Sequence, residues 1–355
     1  MKEEQEPQPA EFSEKRQIGT ETGEECEGMR LDSYLRNRFT YRSRREWQDS
    51  VRKGEIRVNG RRIRPCRRLH AGEYISFDFP DREEPEVCRE YRILLEHPRF
   101  LAVDKPGNLP VHPAGRFFRN TLLFLLRGQY GKLFPVNRLD RETSGVLLFG
   151  RDPEAASVLS GLFSRKQVEK HYTVFVHGAF PEEGMKTHGF LSRDLESKVR
   201  KKRRFCPLNA EDAERRRIPE VPEQEGAQRG GTAEASSERE FAETEFRFLK
   251  GNGKISMLEA LPKTGRLHQI RATLCSLGWP LLGDKLYGLD EQFYLRHIDE
   301  NLTEQDRQIL RLDRQALHAS RMIFPSPFGR EGERISLFAP LPPELTVLQD
   351  EIKDV

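Results

Sequence analysis

Asp140 is the first residue in this chain that invites chemistry. It lies in the polar stretch Asn137-Arg138-Leu139-Asp140-Arg141-Glu142-Thr143-Ser144-Gly145, between Arg138 and Arg141. Val146-Leu147-Leu148-Phe149 follows at once, an apolar run short and bulky enough to be a buried strand. Loops carried by a rigid scaffold are where catalytic groups concentrate. A carboxylate so placed can form a covalent adduct or stabilise a developing positive charge. From these residues alone, though, a surface loop with an ion pair and a Thr-Ser-Gly turn is the commoner meaning.

Two other segments carry reactive side chains. Tyr172 lies in the run Val168 to Val176, which alternates from Tyr172 onward like a half-buried strand. Such a tyrosine is ordinarily structural. The string Lys263-Thr264-Gly265-Arg266-Leu267-His268-Gln269-Ile270-Arg271 follows a hairpin built from Phe241 to Phe248 and Ile255 to Leu261 around Gly251-Asn252-Gly253. Gly265 is expected to turn the strand into a helix, with Arg266 in its first turn. His268 in this string reads as a hydrogen-bonding residue. No Cys/His/carboxylate set at ligand spacing points to a metal, and no cofactor is implied.

The elements that must position these groups come from a chain of 355 residues, long enough for two domains with a stable core. Net charge is only +3, but its distribution is uneven. Residues 1–28 hold nine glutamates against three basic residues and read as a disordered acidic tail. Between Arg30 and Arg68 there are fourteen Lys/Arg against four Asp/Glu. There Leu31, Tyr34 and Leu35, then Trp47 and Val51, keep helical spacing, and Ile56-Arg57-Val58-Asn59-Gly60 reads as a strand entering a tight turn. A module this positive neutralises phosphates, so salt-sensitive RNA binding follows, with Arg30, Arg42, Arg44, Lys53, Arg61 and Arg62 as contacts.

Residues 81–90 are an acidic, proline-containing linker, and residues 91–345 form the larger domain. Within it Pro153 opens a helix, being well placed at a first turn. Lys198 to Arg204 has six basic residues in seven, and Lys201 and Lys202 are taken as phosphate contacts. Residues 206–238 are polar and acidic, a flexible insertion, and 346–355 a C-terminal tail. Five scattered cysteines without a C-x-x-C pair argue for reduced thiols in the cytoplasm. No apolar run is long enough to span a membrane, and the amino terminus lacks the apolar core of a secretory signal.

The stretch around Asp140 resembles the H-R-L-D-x-x-T-S-G motif of the RluA-type pseudouridine synthases, with Asn137 where that family has histidine. Four more strings agree in order: Asp104-Lys105-Pro106-Gly107 through Val111-His112-Pro113, Lys170-x-Tyr172, Lys263 to Arg271, and Gly278 to Gly288. The segment from Arg30 to Phe77 is similar to the S-four RNA-binding module. The resemblance spans about Met29 to Pro343. It implies an α+β fold, with a mixed, antiparallel-rich central sheet preceded by a small α/β RNA-binding module. It also implies Asp140 as nucleophile, Tyr172 at the target base in proton transfer, Arg266 as the countercharge of Asp140, and Arg138 inserted where the uridine leaves the stack. The expected partner is a structured RNA, ribosomal before transfer RNA, acted on by a monomer. Two rivals remain: a catalytically silent RNA-binding protein, in view of Asn137, and a sugar hydrolase, for which Glu142 would have to be the second carboxylate.

Overall fold

The structure is a computed structural model that describes residues 17–38, 44–78, 84–114, 116–208, 239–330 and 332–352. The chain divides into two compact units, residues 1–85 with 113–120, and residues 86–112 with 121–355.

The first unit holds β1 (Gln17–Glu21), α1 (Leu31–Arg38), α2 (Arg44–Lys53), β2 (Ile56–Val58), β3 (Arg61–Arg62) and β4 (Tyr74–Asp78). The strands form one antiparallel sheet in the order β1-β4-β2-β3. Leu31, Tyr34, Leu35, Trp47 and Val51 are all buried, as their spacing requires. Asn59 and Gly60 both take positive φ, 49° and 73°, in the turn from β2 to β3.

β1 corrects the expectation of a disordered tail over residues 1–28. Residues 1–16 lie outside the described residues, but Gln17–Glu21 pairs along β4, and Thr22 and Cys26 are buried. That strand is held by backbone pairing with a partner some fifty residues away, which glutamate-rich composition hides. Of the linker 81–90, residues 81–83 are outside the described residues. Glu84 accepts the backbone N–H groups of Phe118 (2.8 Å), Arg119 (3.0 Å) and Asn120 (2.8 Å).

The second unit begins with β5 (Arg92–Glu96), β6 (Phe100–Lys105), α3 (Leu122–Tyr130), β7 (Phe134–Pro135) and β8 (Ser144–Gly150). α4 (Pro153–Ser164), β9 (Glu169–His177), β10 (Met185–Arg193), β11 (Arg203–Pro207), β12 (Glu240–Gly251) and β13 (Ile255–Pro262) follow. α5 (Gln269–Ser276), α6 (Gln292–Ile298), α7 (Glu304–Leu310), β14 (Leu317–Pro325), β15 (Arg334–Phe338) and α8 (Pro343–Glu351) complete it. One sheet runs β11-β10-β12-β13-β9-β14-β8-β6-β5, with β15 paired to β14 and β7 to β8. Among these pairs only β14 with β8 is parallel. The fold is α+β with a mixed, antiparallel-rich sheet, as expected.

β8 is buried along its whole length because both faces of the sheet are covered. Val146 and Leu148 enter one core with Phe100 and Phe324, while Leu147 and Phe149 enter the other with Leu101 and Leu122. Pro153 does open a helix, and Asp152 caps it by accepting from Ala155 N at 2.8 Å. Two boundaries move. Cys206 and Pro207 belong to β11, so only residues 209–238 of the expected insertion lie outside the described residues. The expected tail 346–355 is largely helix: Leu345, Leu348 and Ile352 pack on Phe175 and Met257. Proline and glutamate at its start concealed an apolar stripe with a core to meet.

The parallel pair β8–β14 is where the loop that carries Asp140 is anchored. Gly145 has φ 111°, and a Cβ there would lie 2.2 Å from the Ala319 carbonyl oxygen, so the strands close only on glycine. Ser144 Oγ and His318 Nδ1 are 2.9 Å apart, and His318 Nε2–H donates to Ala339 O at 3.0 Å. With both ring nitrogens so used and no solvent exposure, burial pushes the His318 pKa down to about 4. The unfolded chain, with an ordinary histidine near 6.5, therefore binds one more proton between about pH 4 and 6.5. Stability is full above that window and falls as pH drops through it, by at most about 1.4 kcal/mol per pH unit from this group. His318→Gln should flatten the dependence of the denaturant midpoint on pH between 6.5 and 4. An unchanged slope would show that His318 is already protonated in the fold.

Candidate active site

Asp140 sits in the turn ahead of β8, closed by Thr143 N donating to Asp140 O at 3.1 Å. Three devices hold that loop. Lys105, fully buried at the end of β6, donates to the carbonyls of Pro106 (2.8 Å), Leu109 (2.9 Å) and Arg141 (3.1 Å). Gln315 Nε2 donates to Thr143 Oγ1 at 2.6 Å. Asn137 Oδ1 accepts the backbone N–H of Leu148 at 2.8 Å, beside the Val136 N to Leu148 O bond at 2.9 Å. Asn137 thus ties the loop to β8 through a single acceptor atom, which needs no titratable ring.

The loop is shared between two cavities. Arg138 and Asp140 face a cleft of about 650 Å³ that is also lined by Tyr172, Lys170, Arg266 and Arg271. A larger cavity, about 1080 Å³, takes Arg141, Glu142 and Lys285 but none of Asp140, Tyr172 or Arg271. The candidate residues gather in the smaller one. Glu142 accepts from Lys285 Nζ at 3.2 Å and pairs with Arg141, so it is turned away from Asp140 and cannot serve as the second carboxylate of a sugar hydrolase.

The countercharge of Asp140 is Arg271, not Arg266. Arg271 Nη1 donates to Asp140 Oδ2 at 2.7 Å. Arg266 instead donates from Nε to Phe241 O at 3.1 Å, stays 43% exposed, and keeps Nη1 3.9 Å from Glu240. The local reason is where the helix starts. Gly265 does not open it. The chain continues to His268, which takes the left-handed conformation at φ 56°, and α5 begins at Gln269. Gln269 Oε1 meanwhile accepts Arg266 N (2.9 Å) and Thr264 Oγ1 (2.8 Å), so the Thr-Gly-Arg turn is fastened to α5. Arg271 then occupies the first turn and Arg266 the loop before it.

Burial disfavours the charged form of Asp140, but His268, Arg271 and Arg138 together hold its carboxyl well below the usual carboxylate range. His268 itself is pushed down to about 4 by burial, so near neutral pH the arginines do this. His268 Nδ1 lies 3.0 Å from Tyr287 Oη, a hydrogen-bonding role as expected. Burial, with the Asp140 charge, pushes the Tyr172 phenol up to about 12, so it faces the cleft as a protonated hydroxyl. The site is an ionised carboxylate beside an aromatic ring in a basic cleft.

Arg138 is exposed at the cleft. Lys201 has its ammonium 4.3 Å from the centre of the Tyr294 ring, and Lys202 is committed to Glu291 at 2.9 Å, which withdraws it from the phosphate set. In the first unit Lys53, Arg61 and Arg62 are exposed. Arg30 and Arg44 each hold the fully buried Asp32 at 3.0 Å and present only part of their surface outward. Arg42 lies outside the described residues. No group of three or more His, Cys, Asp or Glu arranged to hold a metal occurs among the described residues, and no described helix is long and apolar enough to cross a membrane.

Residues 99–276 match the model of the RNA pseudouridylate synthases, and residues 29–75 that of the S4 domain. Fold and motifs together define an RNA-modifying isomerase carrying a small RNA-binding unit. The chain belongs to the RNA pseudouridylate synthase family. A protein of Synechocystis named as an uncharacterized RNA pseudouridine synthase is 33% identical over 260 residues, 73% of this chain and 79% of that one. The mitochondrial tRNA pseudouridine(32) synthase of Saccharomyces cerevisiae is 29% identical over 71% of this chain, which spans 49% of that longer protein. The solved structure of human RNA pseudouridylate synthase domain containing 4 has the same fold, with TM-score 0.52 and 22% identity over 74% of this chain and 92% of that one.

Arg271→Leu should unfold the protein or cost it about 3–5 kcal/mol, because two buried carboxylates lose their partner. Arg266→Leu should leave the thermal midpoint nearly unchanged and weaken RNA affinity instead. Equal midpoints for the two variants would contradict the assignment. Asn137→Ala should cost about 1–2 kcal/mol and slow turnover, since Leu148 N is left without its acceptor. Asn137→His should be tolerated with a modest change in rate, and a gain of activity from an inert parent would refute the bracing role.

Proposed function

We propose that this protein converts specific uridines of a structured RNA to pseudouridine, with ribosomal RNA ahead of transfer RNA as substrate and Asp140 as the nucleophile. The observation that carries this is the Asp140 carboxylate, kept ionised by Arg271 and open to a basic cleft that it shares with Tyr172. The reaction detaches uracil from its ribose carbon, rotates it and rejoins it through carbon 5, so bonds are exchanged without an energy source. A carboxylate suits the sugar carbon for the reason that glycosidases use one, the oxocarbenium character of the state to be passed.

The target must leave the RNA stack, at a cost of roughly a few kcal/mol. Arg138, exposed at the cleft, is the side chain we assign to the vacated space. Tyr172 packs against the flipped base and acts in proton transfer. Its raised pKa keeps the phenol protonated, so it enters the reaction as a donor. Lys170, lowered to about 8 by burial and by Lys263, remains charged near neutral pH and adds to the attraction for phosphate, as does Arg266. The exposed Lys53, Arg61 and Arg62 of the first unit supply further phosphate contacts. Preference for ribosomal RNA is drawn from the S4-type unit. The yeast relative named for transfer RNA marks the second choice. The five cysteines are all free, which suits a reducing compartment such as the cytoplasm.

Asp140→Asn, isosteric and uncharged, should abolish pseudouridine formation while keeping fold and RNA affinity. The assay uses unmodified transcripts of ribosomal and transfer RNAs of the source organism, read by pseudouridine mapping. Turnover retained by this variant would exclude Asp140 as the nucleophile. Conversion confined to transfer RNA would reverse the substrate order.

A further inference from the structure

Arg271 does not belong to Asp140 alone. Its Nε donates to Asp284 Oδ2 at 2.6 Å and its Nη2 to Asp284 Oδ1 at 2.9 Å, while Nη1 reaches Asp140 at 2.7 Å. Asp284 is wholly buried and does not line the cleft. Its own carboxylate is fixed, since Oδ1 also accepts the backbone N–H of Leu286 (3.0 Å) and of Tyr287 (2.9 Å). Beneath the guanidinium lies the Tyr287 ring, 4.9 Å from its carbon. The hydroxyl of that ring is itself tied to His268 and accepts Arg203 N at 2.9 Å.

We infer that Asp284 is a positioning residue for the reaction, acting through Arg271 to aim and ration the countercharge that Asp140 receives. The inference rests on the proposed role of Asp140. A guanidinium is planar and its N–H groups diverge in fixed directions. Docking Nε and Nη2 on a rigid carboxylate therefore fixes the plane and the heading of Nη1. Only one N–H then reaches Asp140, on one oxygen, and the other oxygen remains for the substrate.

Charge makes the same point. One guanidinium stands between two carboxylates, so the trio keeps a net negative charge, and it resides on the partner that opens to the cleft. Without Asp284, Arg271 could turn its full fork on Asp140 and engage both oxygens, which would blunt the nucleophile and displace it. A displacement of this kind, about 1 Å, costs on the order of a hundredfold in rate.

The test uses the full-length protein and the same pooled unmodified ribosomal and transfer RNA transcripts. Asp284→Asn keeps the shape and the acceptor for Leu286 and Tyr287 but removes the charge. We expect kcat to fall by about tenfold to a hundredfold with KM within about twofold, because Asp284 does not touch RNA. Asp284→Glu keeps the charge and moves the fork, so it should lower kcat as well; it serves should the asparagine variant not fold. In an Arg271→Met background, provided that variant folds, adding Asp284→Asn should cost no further rate, since the residue through which it acts is gone. A folded Asp284→Asn or Asp284→Glu variant with wild-type kcat, or losses that multiply in the double variant, would overturn the inference while leaving Asp140 untouched. An Asp140→Asn control that still turns over would bring down both.

Discussion

Everything around the cleft depends on one buried cation. Arg271 is almost without solvent contact, and burial works against its charge, yet Asp284 and Asp140 more than offset this and raise its pKa. Taking three charges out of water is costly unless each finds its partners. Here the guanidinium satisfies two carboxylates at once, and Asp284 is further held by two backbone N–H groups. The same arrangement that makes burial tolerable shapes the candidate site. It leaves Asp140 ionised, partly exposed to the cleft, and with one oxygen not engaged by Arg271.

The second constraint is the seam between β8 and the strand beside it. Thr143, Ser144 and Gly145 each meet a partner in β14 or just before it: Gln315, His318 and Ala319. Two residues of the seam are hydrogen-bonded side chains and the third must be glycine, so the loop that ends in Asp140 is laid against β14 in one register. Lys105 and Asn137 fasten the same loop from β6 and from β8 itself. The carboxylate is thus placed by a scaffold of strands, although it belongs to a turn.

Positive charge has divided duties in this protein. Several cations that composition suggests for RNA are spent internally: Lys202 on Glu291, Arg203 on Glu240, and Arg30 with Arg44 on Asp32. A buried carboxylate such as Asp32 must be paired, and it draws in the nearest arginines. Of the cations expected to meet RNA, Lys53, Arg61 and Arg62 in one unit and Arg138 and Lys201 in the other are exposed.

Local order was legible in the amino-acid sequence wherever it rests on near neighbours. The helix spacing of the first unit, the Asn59-Gly60 turn, the β12–β13 hairpin, the start of α4 at Pro153 and the buried run of β8 all follow from periodicity and turn chemistry. The motif around Asp140, with Tyr172 and the Lys263 to Arg271 string, also pointed to the chemistry. What the sequence could not reveal is what depends on distant partners. β1 exists because β4 offers it a backbone edge, and α8 because Phe175 and Met257 present a core to its apolar stripe. Whether Arg266 or Arg271 answers Asp140 turns on His268 taking a left-handed conformation and on Gln269 bonding back across the turn. Asp284 emerged only once the chain had brought it to the far side of Arg271. Spacing along a chain is set by covalent bonds, but which charge meets which in a buried site is decided by the tertiary fold that desolvates them together.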